Sequence, residues 1–160
     1  MRYHVPAEVR DVDGIFVPFY LVEVEFLSRP LLGRASYVRA RGLVHGVFGN
    51  VVQMDPPDLG LLDPEELPGW ARAMPVLDFR VDPDRAVRAV LDRISPSYSL
   101  MGLKLPTVRG GLEGRANPFE AMYVARDRVL WDPFTGEACQ DPLILGAFSL
   151  GRRVPGLSGS

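Results

Sequence analysis

Glu23 and Glu25 stand two residues apart in "FYLVEVEFL", and paired carboxylates can donate and accept protons during bond cleavage. If that stretch is extended, both point to one face, about 7 Å apart from the rise per residue of a strand. A second acidic pair, Asp132 and Glu137, brackets the turn in "LWDPFTGEAC", with Arg126 and Arg128 just upstream. Such a set could hold an anionic ligand or serve an enzyme. In "RGGLEGR" the glycines expose backbone N–H groups between Arg109 and Arg115, which invites a phosphate. His4, His45 and Cys139 are the soft metal donors, but they are scattered and show no ligand spacing.

Each pattern also has a structural reading. Arg39 and Arg41 alternate in "SYVRARGLV". If that run pairs with 20–26, Glu23 faces Arg39, or Arg41 in a register shifted by two, and the acids belong to a solvated ion-pair ladder. Asp132 can accept N–H bonds from the residues after it, Pro133 presets φ and Gly136 supplies positive φ, so the quoted turn closes itself as an Asx-turn. The segment 109–115 lacks the Gly-Lys-Ser/Thr ending of a P-loop and does not join a strand to a helix. It reads as a mobile connector, a lid or a partner-binding loop. His45 reads as a surface or partly packed turn residue. No nucleophile elbow or cysteine-protease signature is present. The sequence therefore assigns no catalytic residue, no metal site and no cofactor.

The elements that position these residues follow from periodicity. Tyr20, Val22, Val24 and Phe26 share one face and Glu23 and Glu25 the other, which is a half-buried strand. The run 36–44 alternates likewise, and "VVQM" (51–54) makes a further short strand. Residues 55–70 are proline-rich and acidic, a connector with one helical turn at 64–67. "MPVLDFRV" (74–81) reads as a strand. In "DPDRAVRAVLDRIS", Asp82 caps, Pro83 opens, and Val87, Val90, Leu91 and Ile94 form one apolar stripe, which predicts a helix over 82–95. Residues 102–118 read as a long loop. The runs 119–125 and 128–131 read as strands joined by a turn at 126–127. The apolar segment 142–150 follows, and residues 151–160 form a flexible tail.

A faint internal repeat, 15–54 against 117–149, is visible. Each half places a hydrogen-bond acceptor at a strand end (His45, Asp132), a glycine four residues on (Gly49, Gly136), then a polar residue (Asn50, Glu137). The helix 82–95, the two strands and Asp132, Thr135, Gly136 and Glu137 together resemble a PepSY or peptidase-propeptide module over residues 82–137. That resemblance implies a small binding or inhibitory module attached to secreted proteases or membrane proteins. The long stretch between helix and strand and the lack of an export signal depart from it.

Size and composition bound the reading. At 160 residues with 47% hydrophobic and 24% charged residues, the chain has apolar mass for a core and fits one domain, 1–150. No apolar run nears the ~18 residues of a membrane helix. A single cysteine makes no internal disulfide, and Glu8, Arg10, Asp11 and Asp13 occupy the place of a signal peptide's apolar region, so the expected location is the cytoplasm. A net charge of −2 gives no general pull toward nucleic acid, although Lys104 is the one lysine and the other 17 basic residues are arginine. Most of the aromatics read as core, with Trp70 and Phe134 as the exposed pair suited to an interface.

The expected fold is α+β, an antiparallel sheet of two hairpin units with the helix 82–95 on one face. The expected function is a non-catalytic protein-binding or accessory module, working through a sheet edge or the 102–118 segment, with another protein or a second copy of the chain as partner. Its candidate binding residues are Trp70, Arg109, Arg115, Asp132, Phe134 and Glu137. The alternative is a small-ligand-binding protein or enzyme built on the carboxylates and arginines of 126–137.

Overall fold

The structure is a computed structural model that describes residues 1–7, 9–30, 34–94, 97–100 and 103–153, the side chains of 30, 97–100, 103–109, 152 and 153 excepted. Its strands are β1 (Arg2–His4), β2 (Gly14–Pro30), β3 (Ser36–His45), β4 (Val51–Met54), β5 (Ser97–Leu100), β6 (Leu103–Arg126) and β7 (Val129–Trp131). Its helices are α1 (Pro83–Arg93) and α2 (Pro142–Arg153). The sheet order is β1-β6-β2-β3-β4, and β5 and β7 also pair with β6. The class is α+β. The sheet is mixed rather than antiparallel, because β1 runs parallel to β6 with Arg2 opposite Phe119 and His4 opposite Ala121. Three residues without alternation carry no strand signal of their own. Among the described residues, no helix is long and apolar enough to cross a membrane.

The chain divides into two compact units. The first holds Met1–Phe19, Asp58–Arg80 and the chain from Pro118 onward. Within it every residue from Gly14 to Phe19 and from Phe119 to Val124 is buried. Continuous apolar runs such as these belong to strands covered on both faces. On one face Phe16, Met122 and Val124 pack with Val9, Leu67, Ala71 and Met74. On the other, the rings of Phe19 and Phe119 stack at 5.9 Å, and Phe134 meets Phe19 edge-on at 4.9 Å. The Ala125 N–H donates to the Asp13 carbonyl at 2.9 Å, and with the Phe19–Phe119 contact this sets the two strands antiparallel. Gly14 is required: a Cβ there would lie 2.3 Å from the Tyr123 carbonyl oxygen.

The expected strand 74–81 is reduced to a single bridge between Val76 and Phe16. Pro75 has no N–H to extend the ladder, and a 3-10 turn over Gly69–Ala73 leads into it. The connector does contain a helical turn, at Pro64–Glu66. The segment 142–150, given no structure by periodicity, is α2. Asp141 caps it by accepting from the Leu143 and Ile144 N–H groups, and Ile144 and Phe148, four apart, are its buried stripe. The helix runs to Arg153, into the expected tail; residues 154–160 lie outside the described residues.

The second unit holds Tyr20–Pro57 and Val81–Asn117. Here β2 alternates as expected, with Val22, Val24 and Phe26 buried and Glu23 and Glu25 half-buried. The Asp82 carboxylate accepts the Arg85 N–H at 2.8 Å and Pro83 opens α1. The helix packs against β3 and β4. Two glycines admit it. A Cβ on Gly42 would stand 2.6 Å from the Val90 Cγ2, and one on Gly114 2.6 Å from the Val87 Cγ1.

That last contact corrects the reading of 102–118 as a loop. From Leu103 the segment is strand, continuous with 119–126 and paired with β5 in a tight hairpin, Leu100 opposite Leu103. Gly114 marks the close approach of α1 and Gly111 a positive φ of 60°, not a break in the strand. The turn expected at 126–127 falls one residue later: Arg126 pairs with Val129, and Asp127 and Arg128 both take positive φ, as a two-residue type I′ hairpin needs.

The two acceptor-and-glycine turns share one hydrogen-bond scheme. The Asp132 Oδ1 accepts from the N–H groups of Phe134 (2.8 Å) and Thr135 (3.3 Å), the Gly136 N–H donates to the Asp132 carbonyl, and the Asp132 N–H to the Glu137 carbonyl. The His45 Nδ1 accepts from Val47 (3.1 Å) and Phe48 (3.4 Å), the Gly49 N–H donates to the His45 carbonyl, and the His45 N–H to that of Asn50. Gly136 and Gly49 have φ of 71° and 78°. In both, the residues just outside the turn pair: Trp131 with Ala138, Val44 with Val51. An imidazole and a carboxylate do the same job, which requires the unprotonated Nδ1 of His45 to face the turn. His45 is buried, not a surface residue.

Candidate functional site

Over residues 22–26 of β2 and 37–42 of β3, even-numbered residues lie on the face that α1 covers and odd-numbered ones on the opposite face. Glu23, Glu25, Tyr37, Arg39 and Arg41 therefore stand together by strand alternation alone. Arg115 joins them from β6. Its Nη2 donates to the Glu23 Oε2 at 3.1 Å, while the Arg41 Nε lies 3.8 Å from the Glu23 Oε1. The Arg39 Nη2 donates to the Glu25 Oε1 at 3.0 Å, and the Tyr37 hydroxyl donates to the Glu25 Oε2. The register is thus the shifted one, Glu23 with Arg41 and Glu25 with Arg39.

Two neighbouring hollows open among these side chains. One of about 300 Å³ is lined by Glu23, Glu25, Glu113, Gly114 and Arg115. The other, of about 340 Å³, is lined by Glu23, Glu25, Arg39, Arg41 and Arg115. The Tyr37 hydroxyl, with Arg39 adding to it, holds the Glu25 carboxyl below its ordinary range. The same bond raises Tyr37, since ionising it would break its donation to Glu25. A carboxylate held this firmly ionised is a poor proton carrier near neutral pH. The face is an ion-pair lattice of arginine forks and acids, suited to recognising polar groups.

The other residues singled out in the sequence do not gather here. The Asp132 oxygens are occupied by its own turn and by the Tyr123 hydroxyl, which donates to Oδ2 at 3.2 Å. Burial first, and then Asp132, push the Tyr123 hydroxyl far up, so it stays a donor. Arg126, Arg128 and Glu137 are exposed, and none forms an ion pair among the described residues. Trp70 and Phe134 are not exposed anchors. Trp70 packs against the Phe16–Met122 cluster, and Phe134 stacks on His4 at 5.1 Å and meets Phe19 edge-on. Among the described residues the exposed aromatics are instead Tyr37, Phe48 and Trp131. Arg109 is a β6 residue whose side chain lies outside the described residues. Among the described residues, no group of three or more His, Cys, Asp or Glu is placed to hold a metal ion.

Sequence reading missed Glu120. It lies on the same face of β6 as Met122 and Val124, in the first unit. It is buried, and its Oε2 finds no hydrogen-bond partner among the described residues. Burial, with Asp78 adding to it, raises its carboxyl to about 8. The available signal was one acid inside "FEAMYV", a run apolar on both alternating faces. No family model matches the chain, and comparison with curated proteins and with solved structures finds no match either.

Proposed function

We propose that the chain is a non-catalytic protein-binding or accessory module, and that the charged face of its second unit is the binding surface. The observation that carries this is the placement of Glu23, Glu25, Tyr37, Arg39, Arg41 and Arg115 on a sheet face opposite the one α1 covers. Antiparallel sheets commonly leave one face to solvent, where opposite charges pair across the strands. Here three arginines and a tyrosine are interlocked with two acids, and arginine and tyrosine are the residues that dominate protein interfaces.

The outer edge of β3 adds to this. β4 pairs only with Gly42, Leu43 and Val44. The Asp55 N–H still donates to the Arg41 carbonyl, but among the described residues Ser36 to Ala40 carry no strand on that side, so a partner strand could add there with its side chains reaching the charged face. The PepSY-like resemblance of residues 82–137 is in keeping with the same role, since such modules bind or inhibit.

The test is a pull-down from the native host with wild-type chain and with the double charge reversal Arg39→Glu, Arg115→Glu. Both arginines are exposed, so the fold tolerates the change, and circular dichroism verifies it. The proposal expects a specific partner that the double variant loses. A partner retained by the variant would remove this face from the account.

A further inference from the structure

A cavity of about 280 Å³ lies in the first unit, far from the charged face in chemistry. Its lining includes Tyr3, Phe16, Leu67, Ala71 and Met74 and one charged residue, Arg72. It has room for about nine water molecules at the ~30 Å³ each occupies in the liquid, just below the range of small-molecule sites. The walls are fixed. Tyr3 exchanges backbone hydrogen bonds with Leu62, Phe16 with Pro75 and Leu77, and the two rings meet edge-to-face at 5.3 Å.

Arg72 supplies the second observation. Its Nε donates to the Leu67 carbonyl at 3.4 Å, and its Nη2 to the carbonyls of Pro64, Glu65 and Leu67 at 3.1, 3.4 and 3.4 Å. These neutral acceptors orient the guanidinium without cancelling its charge. Arg72 is exposed, no carboxylate pairs with it among the described residues, and its hydrogen bonds there run through Nε and Nη2, which leaves the Nη1 N–H groups to solvent or a ligand. An oriented cation with two open donors at the wall of an apolar, aromatic-sided cavity matches a small anion with an apolar body.

From this we infer that the cavity binds a compact apolar monocarboxylate, its ring or alkyl chain between Tyr3, Phe16 and Met74 and its carboxylate on the Arg72 Nη1. This site is independent of the protein-binding face.

The probe is phenylacetate, with neutral phenylacetamide as its control, titrated against chain labelled in the Ala71 and Met74 methyl groups and read by NMR. Phenylacetate is expected to shift both methyls saturably and to bind about tenfold or more tighter than the amide, the weight of one charge-assisted hydrogen bond. Arg72→Gln is expected to abolish that difference, and Ala71→Leu, which fills the cavity, to weaken both probes. Equal affinity for acid and amide in the wild-type chain, or saturable binding that leaves these methyls unmoved, would overturn the assignment. So would no binding at all. Because the acid–amide comparison uses the unaltered chain, it decides the matter even if Arg72→Gln fails to fold.

Discussion

Replacing Glu120 with Gln should change how the stability of the protein depends on pH. The side chain is 6% exposed, its Oε2 is buried and unpartnered, and its carboxyl rises from an ordinary 4.5 to about 8. Below pH 4.5 the group is protonated in both folded and unfolded chains, and it imposes no penalty. As pH rises, the unfolded chain ionises while the folded one holds its proton, so stability falls by about 1.4 kcal/mol per pH unit. The loss reaches about 3 kcal/mol at pH 7 and levels off near the folded value of about 8. Against a total stability of roughly 5–15 kcal/mol that is a large fraction. The glutamine is isosteric and does not titrate. Urea unfolding of both proteins, followed by tryptophan fluorescence between pH 5 and pH 8, should give stability curves that diverge in favour of Glu120→Gln as pH rises. Asp78→Asn should make the wild-type fall level off at a lower pH, since Asp78 is the second cause of the shift. Parallel curves for wild type and Glu120→Gln would refute the reasoning.

Other outcomes follow from single contacts. Gly114→Val should lower stability by about 1–3 kcal/mol in the same unfolding assay, because its Cβ would stand 2.6 Å from the Val87 Cγ1 and push α1 off the sheet. Asp132→Ala should lose about 1–3 kcal/mol through the stranded N–H groups of Phe134 and Thr135, whereas Asp132→Asn keeps an acceptor and should lose less. Tyr37→Phe should move the Glu25 titration upward toward the ordinary carboxylate range, read by side-chain carboxyl NMR; an unmoved Glu25 would mean that Arg39 alone sets it.

Parts of this fold could be read directly from side-chain order. Tyr20 to Phe26 alternate because only one of their faces is buried, and Asp82-Pro83 announces α1 because cap and first turn act locally. The Asp132 turn closes on its own atoms, so its six residues contain its explanation. The strand 103–118 was hidden by its glycines, one of which, Gly114, answers to Val87 on α1, a neighbour that local pattern cannot reveal. α2 opens with Asp141-Pro142, the same signal as α1, yet Leu143, Ile144 and Leu145 run together and blur the stripe. The parallel pairing of β1 depends wholly on β6. At the site, Glu23, Glu25, Arg39 and Arg41 were legible as a ladder, while the place of Arg115 in it required the β2–β6 pairing. Glu120 is unusual only because both faces of its strand are covered, a tertiary fact.

The claim that the charged face binds a protein is tested most directly by placing a photo-crosslinking residue at position 37 and, in a second chain, at position 88 on α1. The account predicts that position 37 crosslinks to a partner in host extract, that position 88 does not, and that Arg39→Glu with Arg115→Glu abolishes the adduct. An adduct from position 88 alone, or one at position 37 that survives both charge reversals, would contradict it.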